Sequence, residues 1–213
     1  MDSQGGTTQP QPFNLQARVT NILMKPTQEW PVIAAEPKDI AGLYSKYIVL
    51  LAAIPPVCTM IGKVVFGITI PFYGTYRVGI GNAITFAVMQ YVLTLVGVYV
   101  SAFVVAKLAP TFQSEPDVAQ ALKLLAYSWT PAWVAGVLTL IPLLSPIAAL
   151  VSLYGIYLMY LGVGPVMKTP ADKAIVYLVV SAVVLIIVYF VIGLATAAVI
   201  GTGYAVGGIR PTI

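Results

Sequence analysis

Residues 174–201 read AIVYLVVSAVVLIIVYFVIGLATAAVIG, an apolar stretch in which no side chain is charged. A helix needs about 20 predominantly apolar residues to cross the hydrocarbon core of a bilayer, and this stretch exceeds that length. Membrane β-strands are shorter and alternate between apolar and polar side chains, which this stretch does not do. The stretch therefore predicts a transmembrane helix.

The composition of the whole chain agrees with this first prediction. Of its 213 residues, 59% are hydrophobic and 8% are charged, and the mean hydropathy is +0.92. An average soluble domain has about 25% charged residues, so this chain cannot build a solvated surface. The composition predicts an all-α integral membrane protein. We attribute the net charge of +4 to membrane orientation and headgroup contact, and we expect no nucleic-acid partner.

Charged residues, together with an uncharged turn at IPLLSP (141–146), divide the upstream sequence into four further apolar stretches. The first, between Lys46 and Lys63, is short for a span, and we expect Pro55 and Pro56 to kink it. The other three lie between Arg77 and Lys107, after Lys123, and before Lys168.

Residues 64–81 are apolar but interrupted by glycines and a proline. Such punctuation favours an interfacial or partly re-entrant linker over another crossing. The prediction is therefore a five-transmembrane-helix bundle over residues 46–203. It follows an N-terminal arm over residues 1–45 and precedes a C-terminal tail over residues 204–213.

The arm combines a polar start with an amphipathic segment. Residues 1–12 are rich in Gly, Gln, Pro and Thr, a composition that predicts disorder. Leu15, Val19 and Ile22 then recur on one helical face, which predicts an amphipathic helix at the membrane surface. Arg18 and Trp30 suit contact with lipid headgroups. Packing of this helix on the bundle is the equal alternative, because amphipathicity alone does not identify what covers the apolar face.

Three helix starts have capping chemistry. Asp39 is expected to cap the first span, Ser114 in SEPD (114–117) the third, and Thr169 in TPAD (169–172) the fifth.

The distribution of basic residues predicts the orientation of the protein in the membrane. If successive spans cross the membrane in opposite directions, Lys63, Arg77 and Arg210 lie on one side of it. The other eight Lys and Arg residues then lie on the side of the N-terminus. The positive-inside rule therefore places the N-terminus in the cytoplasm and the C-terminus outside.

The sequence LLAYSWTPAWVAG (124–136) places polar groups around a proline inside the third span. Pro131 has no N–H, so the carbonyl of Tyr127 loses its usual helical partner and needs another donor in lipid. Ser128, Thr130 or a neighbouring tyrosine could donate to it, which predicts a locally repaired kink. Two outcomes stay open: a cavity lined by Tyr154 and Tyr157 of the fourth span, or a packed joint, the commoner use of such side chains.

Small residues recur at helical spacing in three spans, where they let backbones approach closely. They predict a compact bundle, a homo-oligomer, or both. These candidate packing residues are Ser128, Ala132 and Gly136 in the third span, Gly155 and Gly162 in the fourth, and Gly193, Ala197 and Gly201 in the fifth.

The chemistry that enzymes and metal sites need is scarce. The chain has no histidine, Cys58 is its single cysteine, and no Asp, Glu or Arg falls within a predicted span. We therefore expect no catalytic residues, no metal and no cofactor, and a protein that is not an enzyme. Lys63 is expected to extend to the outer surface from the end of the first span.

Four segments in this order resemble the bacterial branch of the Yip family, the Ypt/Rab-interacting integral membrane proteins. They are RVTNILMKPTQEW (18–30), AYSWTP (126–131), LYGIYLMYLGV (153–163) and TPADKA (169–174). The resemblance implies a five-span bundle in the inner membrane of a prokaryote, with a cytosolic N-terminus. Eukaryotic members bind Rab-type GTPases, but their DLYGP-type motif has only a distant echo in DIAGLYSKY (39–47). That trafficking role is therefore not carried over.

These observations predict a non-enzymatic membrane protein that acts as a scaffold, adaptor or membrane-organising factor. Its expected partners are membrane lipids and either a protein or a second copy of the chain. The alternative is a channel or facilitator for a small neutral or lipidic molecule. A continuous polar cavity would favour transport, whereas a close-packed interior with an ordered N-terminal helix would favour the scaffold.

Overall fold

The computed structural model describes residues 13–70 and 74–207, without the side chains of residues 68–70, 75, 76 and 195–207. The predictions for residues 1–12 and for the end of the tail lie outside this description. Two short helices form the arm, α1 (Leu15–Met24) and α2 (Pro26–Ala35). Asn14 caps α1, and Pro26 occupies the first position of α2, where its missing N–H costs no hydrogen bond.

The first long helix is irregular. It consists of α3 (Ile40–Leu43), a π-helical turn (Tyr44–Ile48), α4 (Val49–Ala52) and α5 (Ile54–Val65). Asp39 caps α3 by accepting from the backbone N–H of Gly42, as predicted. The helix is interrupted at Ala53, directly before the proline pair, so both prolines fall in the first turn of α5. The helix thus begins within the predicted arm.

The linker after α5 contains two short strands, β1 (Ile68–Ile70) and β2 (Gly74–Tyr76). They pair antiparallel, with Ile68 opposite Tyr76 and Ile70 opposite Gly74. This strand pair lies in the segment that was predicted as an interfacial or partly re-entrant linker, and the rest of the all-α prediction is unaffected.

The rest of the chain is helical. The next helix is α6 (Ile80–Leu108), extended by a 3-10 turn at Ala109–Phe112. A segment that we name the central helix follows, made of α7 (Val118–Ser128), α8 (Thr130–Ala135) and a 3-10 stretch (Gly136–Leu140). After a 3-10 turn at Pro142–Leu144 come α9 (Ser145–Ser152), α10 (Tyr154–Met167) and α11 (Ala171–Gly207). Helix α11 runs past residue 203, into the segment predicted as tail.

Four described helices are long and apolar enough to cross a membrane. They are Ile40–Val65, Ile80–Phe112, Pro142–Met167 and Ala171–Leu194, and they match the predicted first, second, fourth and fifth spans. Within the described residues, the central helix is not one of them, although it contains the predicted third span. The protein is therefore an all-helical integral membrane protein apart from its short strand pair, with four candidate membrane-spanning helices.

The central helix forms the axis of the bundle. Every residue of α7 from Ala119 to Ser128 is buried, and α6 and α10 pack along it. The arm helix α2 packs against α10, α5 against residues 136–140, and α11 against α6. In α11 only 11% of the most apolar window is buried within the protein. The more polar helix is thus enclosed, and the most apolar helix lies at the periphery, where lipid can cover it.

The starts of α7 and α11 meet at the end of the bundle that carries the arm. Asp117, not Ser114, caps α7, because its side chain accepts from the N–H groups of Ala119 and Gln120. The hydroxyls of Ser114 and Thr169 instead lie 2.8 Å apart in a buried contact. The predicted capping role of Ser114 is therefore wrong, and that of Thr169 stays a prediction; together the two hydroxyls join the helix starts.

Candidate functional site

The central helix breaks within the polar motif at its middle. Helix α7 ends at Ser128 and α8 begins at Thr130, with a turn at Trp129 between them. The Thr130 hydroxyl lies 3.4 Å from the carbonyl of Ala126. The prediction was that a side-chain donor would bond the carbonyl of Tyr127. The backbone N–H of Trp129 contacts that carbonyl instead, together with the carbonyl of Leu125.

The break sends the motif residues to two different sides of the central helix. On the arm side, Tyr127 and Thr130 join an aromatic cluster with Tyr47, Trp30 and Trp133. The Tyr47 and Tyr127 ring centroids are 4.6 Å apart, and Trp30 meets Tyr127 edge to face at 6.3 Å. Trp133 lies 6.5 Å from Tyr47. All five side chains are buried, so this aromatic cluster fills the interior between the first helix, the arm and the central helix.

A cavity of about 750 Å³ lies above the aromatic cluster, between the arm, α3 and the start of the central helix. We name it the vestibule. Its wall is unusually polar for this chain and ends inward at Tyr127. The charged residues that line it are Arg18, Glu29, Glu36, Asp39, Lys46 and Lys123.

Ionic contacts along the vestibule hold the arm. The Arg18 guanidinium contacts Glu29 at 2.6 Å and also pairs with Glu36, and it lies 5.7 Å from the centre of the Tyr127 ring. Lys123 Nζ donates to the carbonyls of Ile33 at 3.1 Å and Glu36 at 2.6 Å. Because most of these groups are shielded from water, losing one partner would leave a poorly solvated charge. The network therefore fixes α1 and α2 on the bundle.

The predicted membrane-surface contacts of the arm need correction. Ile22 and Trp30 are fully buried in the protein, and Leu15 and Val19 pack against the same core. Arg18 is engaged by two glutamates rather than by lipid headgroups. The physical reason is that the apolar face of α1 covers the bundle, which was the equal alternative. The apolar side chains that the arm exposes are instead Phe13, Met24 and Val32.

On the opposite side of the central helix is a second cavity, of about 290 Å³, which we name the kink pocket. It is mostly apolar and lies between the helix break, α9, α10 and α11. Its lining residues are Ser128, Trp129, Ala132, Ser152, Gly155, Ile156, Met159 and Tyr189. The hydroxyl of Ser128 is buried and has no hydrogen-bond partner among the described residues.

The two tyrosines expected to line a cavity at the kink lie elsewhere. Tyr154 donates to the carbonyl of Leu23 in α1 at 3.0 Å, and Tyr157 is half exposed on the outer face of α10. Their rings contact each other at 5.6 Å. Pro131 itself is buried in the first turn of α8. The tyrosine that lines the kink pocket is instead Tyr189 of α11, which was not predicted from the sequence.

Most of the described small residues mark close approaches within the chain. A Cβ at Gly136 would lie 2.6 Å from Pro55, and one at Gly155 would lie 2.5 Å from the carbonyl oxygen of Ser128. A Cβ at Gly162 would lie 2.6 Å from the Trp30 ring, so this glycine accommodates the arm. Gly193 faces open space, with no atom of the described residues within 4 Å of such a Cβ. Ala197 and Gly201 lie outside the residues whose side chains are described.

Lys63, outside both cavities, is half buried, with its Nζ 4.1 Å from the centre of the Phe86 ring. In the part of the chain that the structure describes, no three His, Cys, Asp or Glu side chains are grouped to hold a metal ion.

Comparisons with known proteins agree with the observed helices. The sequence model of the Yip1 domain matches residues 20–193. The chain is 29% identical over 150 residues to inner membrane protein YohC of Escherichia coli strain K12, covering 69% of this chain and 77% of YohC. YohC of Escherichia coli O6:H1 matches with the same identity and coverage. No solved structure matches significantly. Because the family match covers well over half of the chain, from within α1 to near the end of the last candidate membrane-spanning helix, the chain belongs to the Yip1 domain family.

Proposed function

We propose that the central helix is a fifth membrane span. Its 118–140 segment would be about 34 Å long at a rise of 1.5 Å per residue, enough to cross a hydrocarbon core. A span that is enclosed by other helices does not face lipid, so it tolerates polar residues that a peripheral span would not. An odd number of spans places the termini on opposite sides. Basic residues then favour a cytoplasmic N-terminus in a prokaryotic inner membrane, the location named for the YohC relatives.

We further propose that the protein is a non-enzymatic scaffold or adaptor of this membrane, with the arm as its docking face. The observation that carries this proposal is the way the arm is held. Arg18, Glu29, Glu36 and Lys123 fix two ordered helices over a closed aromatic interior. A rigid, pre-organised surface of this kind suits recognition because little freedom is lost on binding.

The channel alternative has less support in the same geometry. The vestibule opens beside the arm but ends at Tyr127, where the aromatic cluster fills the space toward the other side. A solute path through this part of the bundle would require Tyr47 and Tyr127 to separate. The packed arrangement therefore favours a protein that presents a surface over one that conducts.

Photocrosslinking in native membranes tests the docking proposal. A photoreactive amino acid would replace Val32 or Lys46, both exposed near the vestibule, or Val183 on the exposed face of α11 as a control. We expect protein adducts from the two arm-side positions and lipid adducts from the control. Adding Arg18→Gln should reduce the arm-side adducts, whereas Lys25→Gln at the exposed end of α1 should not. Only lipid adducts at all positions would contradict the proposal.

A further inference from the structure

The kink pocket has a feature that its apolar wall does not explain. Ser128 is 1% exposed, it lines the pocket, and its hydroxyl has no hydrogen-bond partner among the described residues. A serine in a helix often bonds the carbonyl four residues earlier, and Ser152 across the same pocket does so, donating to Ala148 at 2.8 Å. An unpaired buried hydroxyl costs free energy, and no bulk water is available inside a bilayer to satisfy it.

The walls around this hydroxyl suit an apolar guest. Trp129 and Tyr189 pack against each other at 4.6 Å and form an aromatic side, and Ile156 and Met159 form an aliphatic side. Gly155 keeps the backbone of α10 close to Ser128, where a larger side chain would collide with the Ser128 carbonyl oxygen. Among the residues whose side chains are described, none that lines the kink pocket is charged. A charged ligand would therefore be poorly solvated there.

The depth of the pocket in the membrane further limits the class of ligand that it can bind. Ser128 is about 15 Å along α7 from its start, at 1.5 Å per residue. Gly97, which approaches the Tyr189 hydroxyl, is about 16 Å from the end of α6 on the same side. Both positions fall near the middle of a hydrocarbon core of about 30 Å. The charged headgroup of a phospholipid would be too costly to place at this depth, whereas an uncharged polar group can enter it.

From these features we propose that the kink pocket binds an uncharged lipid through a hydroxyl or carbonyl group that hydrogen-bonds to Ser128. The aromatic and aliphatic walls hold the adjoining hydrocarbon. The volume of about 290 Å³ takes the polar end and the first part of a chain, and the remainder extends among the surrounding lipids. The depth assigned to the pocket rests on the proposed span of the central helix. The site is separate from the docking face on the arm, so the lipid and docking proposals can each fail without the other.

A photoreactive lipid tests the site on the purified full-length protein in phospholipid nanodiscs. The probe is a long-chain alcohol with a diazirine next to its hydroxyl end, compared with the same chain without the hydroxyl. We expect saturable labelling of peptides that contain Trp129 or Ile156 by the alcohol, and much weaker labelling by the hydrocarbon. Ser128→Ala should weaken the apparent affinity about three- to tenfold, as expected for one lost hydrogen bond.

Two further variants make the result decisive. Ser152→Ala is the matched control, because this serine lines the same pocket but its hydroxyl is already bonded within its helix. It should label like the wild type. Ala132→Leu should fill the pocket and abolish saturable labelling, provided that size-exclusion and thermal-melting profiles match the wild type. Equal labelling by the two probes, an unchanged affinity in Ser128→Ala, or full competition by excess phosphatidylethanolamine would each overturn the proposal.

Discussion

The hydroxyl of Tyr47 lies 2.6 Å from Oγ1 of Thr130, which joins the first long helix to the central helix directly after its break. Both side chains are fully buried. This contact lies within the aromatic cluster, next to the break at Trp129 in the central helix. It therefore ties the start of α8 to the first long helix.

Removing either hydroxyl should destabilise the protein. Tyr47→Phe leaves the Thr130 hydroxyl without its cross-helix partner, and Thr130→Val does the same to Tyr47. We expect each single variant to lower the free energy of unfolding by about 1–3 kcal/mol. The double variant should cost less than the sum, with a coupling of about 0.6 kcal/mol and at most about 1.7 kcal/mol, the mean and the maximum measured for hydrogen bonds between helices of a membrane protein. Unfolding titrations from mild detergent into dodecyl sulfate measure these values.

The control for this cycle is Tyr99→Phe, on the exposed face of α6. It should leave the midpoint of the titration unchanged. Strictly additive losses in the double variant would show that the two hydroxyls do not stabilise each other.

Glycine substitutions should separate the packed positions from the open one. In Gly155→Ala the new methyl group would meet the backbone carbonyl of Ser128, which cannot rotate away. We expect a loss of about 1–3 kcal/mol, the usual cost of overpacking. Gly193→Ala enters open space and should be neutral or stabilising by up to about 1 kcal/mol, because alanine favours a helix over glycine. Thermal denaturation in one detergent compares the two, and an equal loss would contradict the packing.

The long helices could be predicted because long stretches of the sequence contain no charged residue. Lys46, Arg77 and Lys173 lie near the starts of apolar stretches that the structure also shows as helices. The partners of their faces could not be predicted in the same way. Helix α11 is apolar all round, so its sequence contains no signal for the rotation that brings Tyr189 against Trp129.

The contacts of the arm, including those of its charged residues, could not be predicted from the sequence either. Its apolar face was visible in the spacing of Leu15, Val19 and Ile22, but that spacing does not say whether lipid or protein covers it. The pairing of Arg18 with Glu29 depends on a reversal of the chain between α1 and α2. The signal that could have indicated a second helix is Pro26, because proline favours the first position of a helix.

The stability of the arm-side end should depend on acid pH through Asp117. Partial burial raises the pKa of this carboxyl, but hydrogen bonds from Lys38 and from the N–H groups of Gln120 and Ala119 outweigh burial. The pKa therefore lies below its ordinary value of 3.8. A depressed carboxyl pKa stabilises the folded state above that ordinary value, and this contribution is lost as the pH falls through the folded-state pKa.

Two variants isolate this contribution. Asp117→Asn keeps a side chain that can cap α7 but removes the charge next to Lys38. Its unfolding midpoint should change less than that of the wild type between pH 5 and about 2, the range over which aspartates titrate. Asp117→Ala loses the cap as well and should be less stable at every pH. Parallel pH profiles for the wild type and Asp117→Asn would contradict the assignment.

Cysteine accessibility should show whether the central helix crosses the membrane. With Cys58 replaced by serine, single cysteines are placed at Thr111 and Leu143, exposed residues before and after the central helix. If the helix crosses, a membrane-impermeant maleimide added to spheroplasts should modify Leu143→Cys at once and Thr111→Cys only after permeabilisation. Gly79→Cys, which precedes α6, should behave like Leu143→Cys, and Lys168→Cys like Thr111→Cys. An exchange of the two groups would reverse the orientation but keep five spans. Modification of Thr111→Cys and Leu143→Cys from the same side would mean that the central helix is enclosed without crossing, which leaves four spans and places both termini on one side.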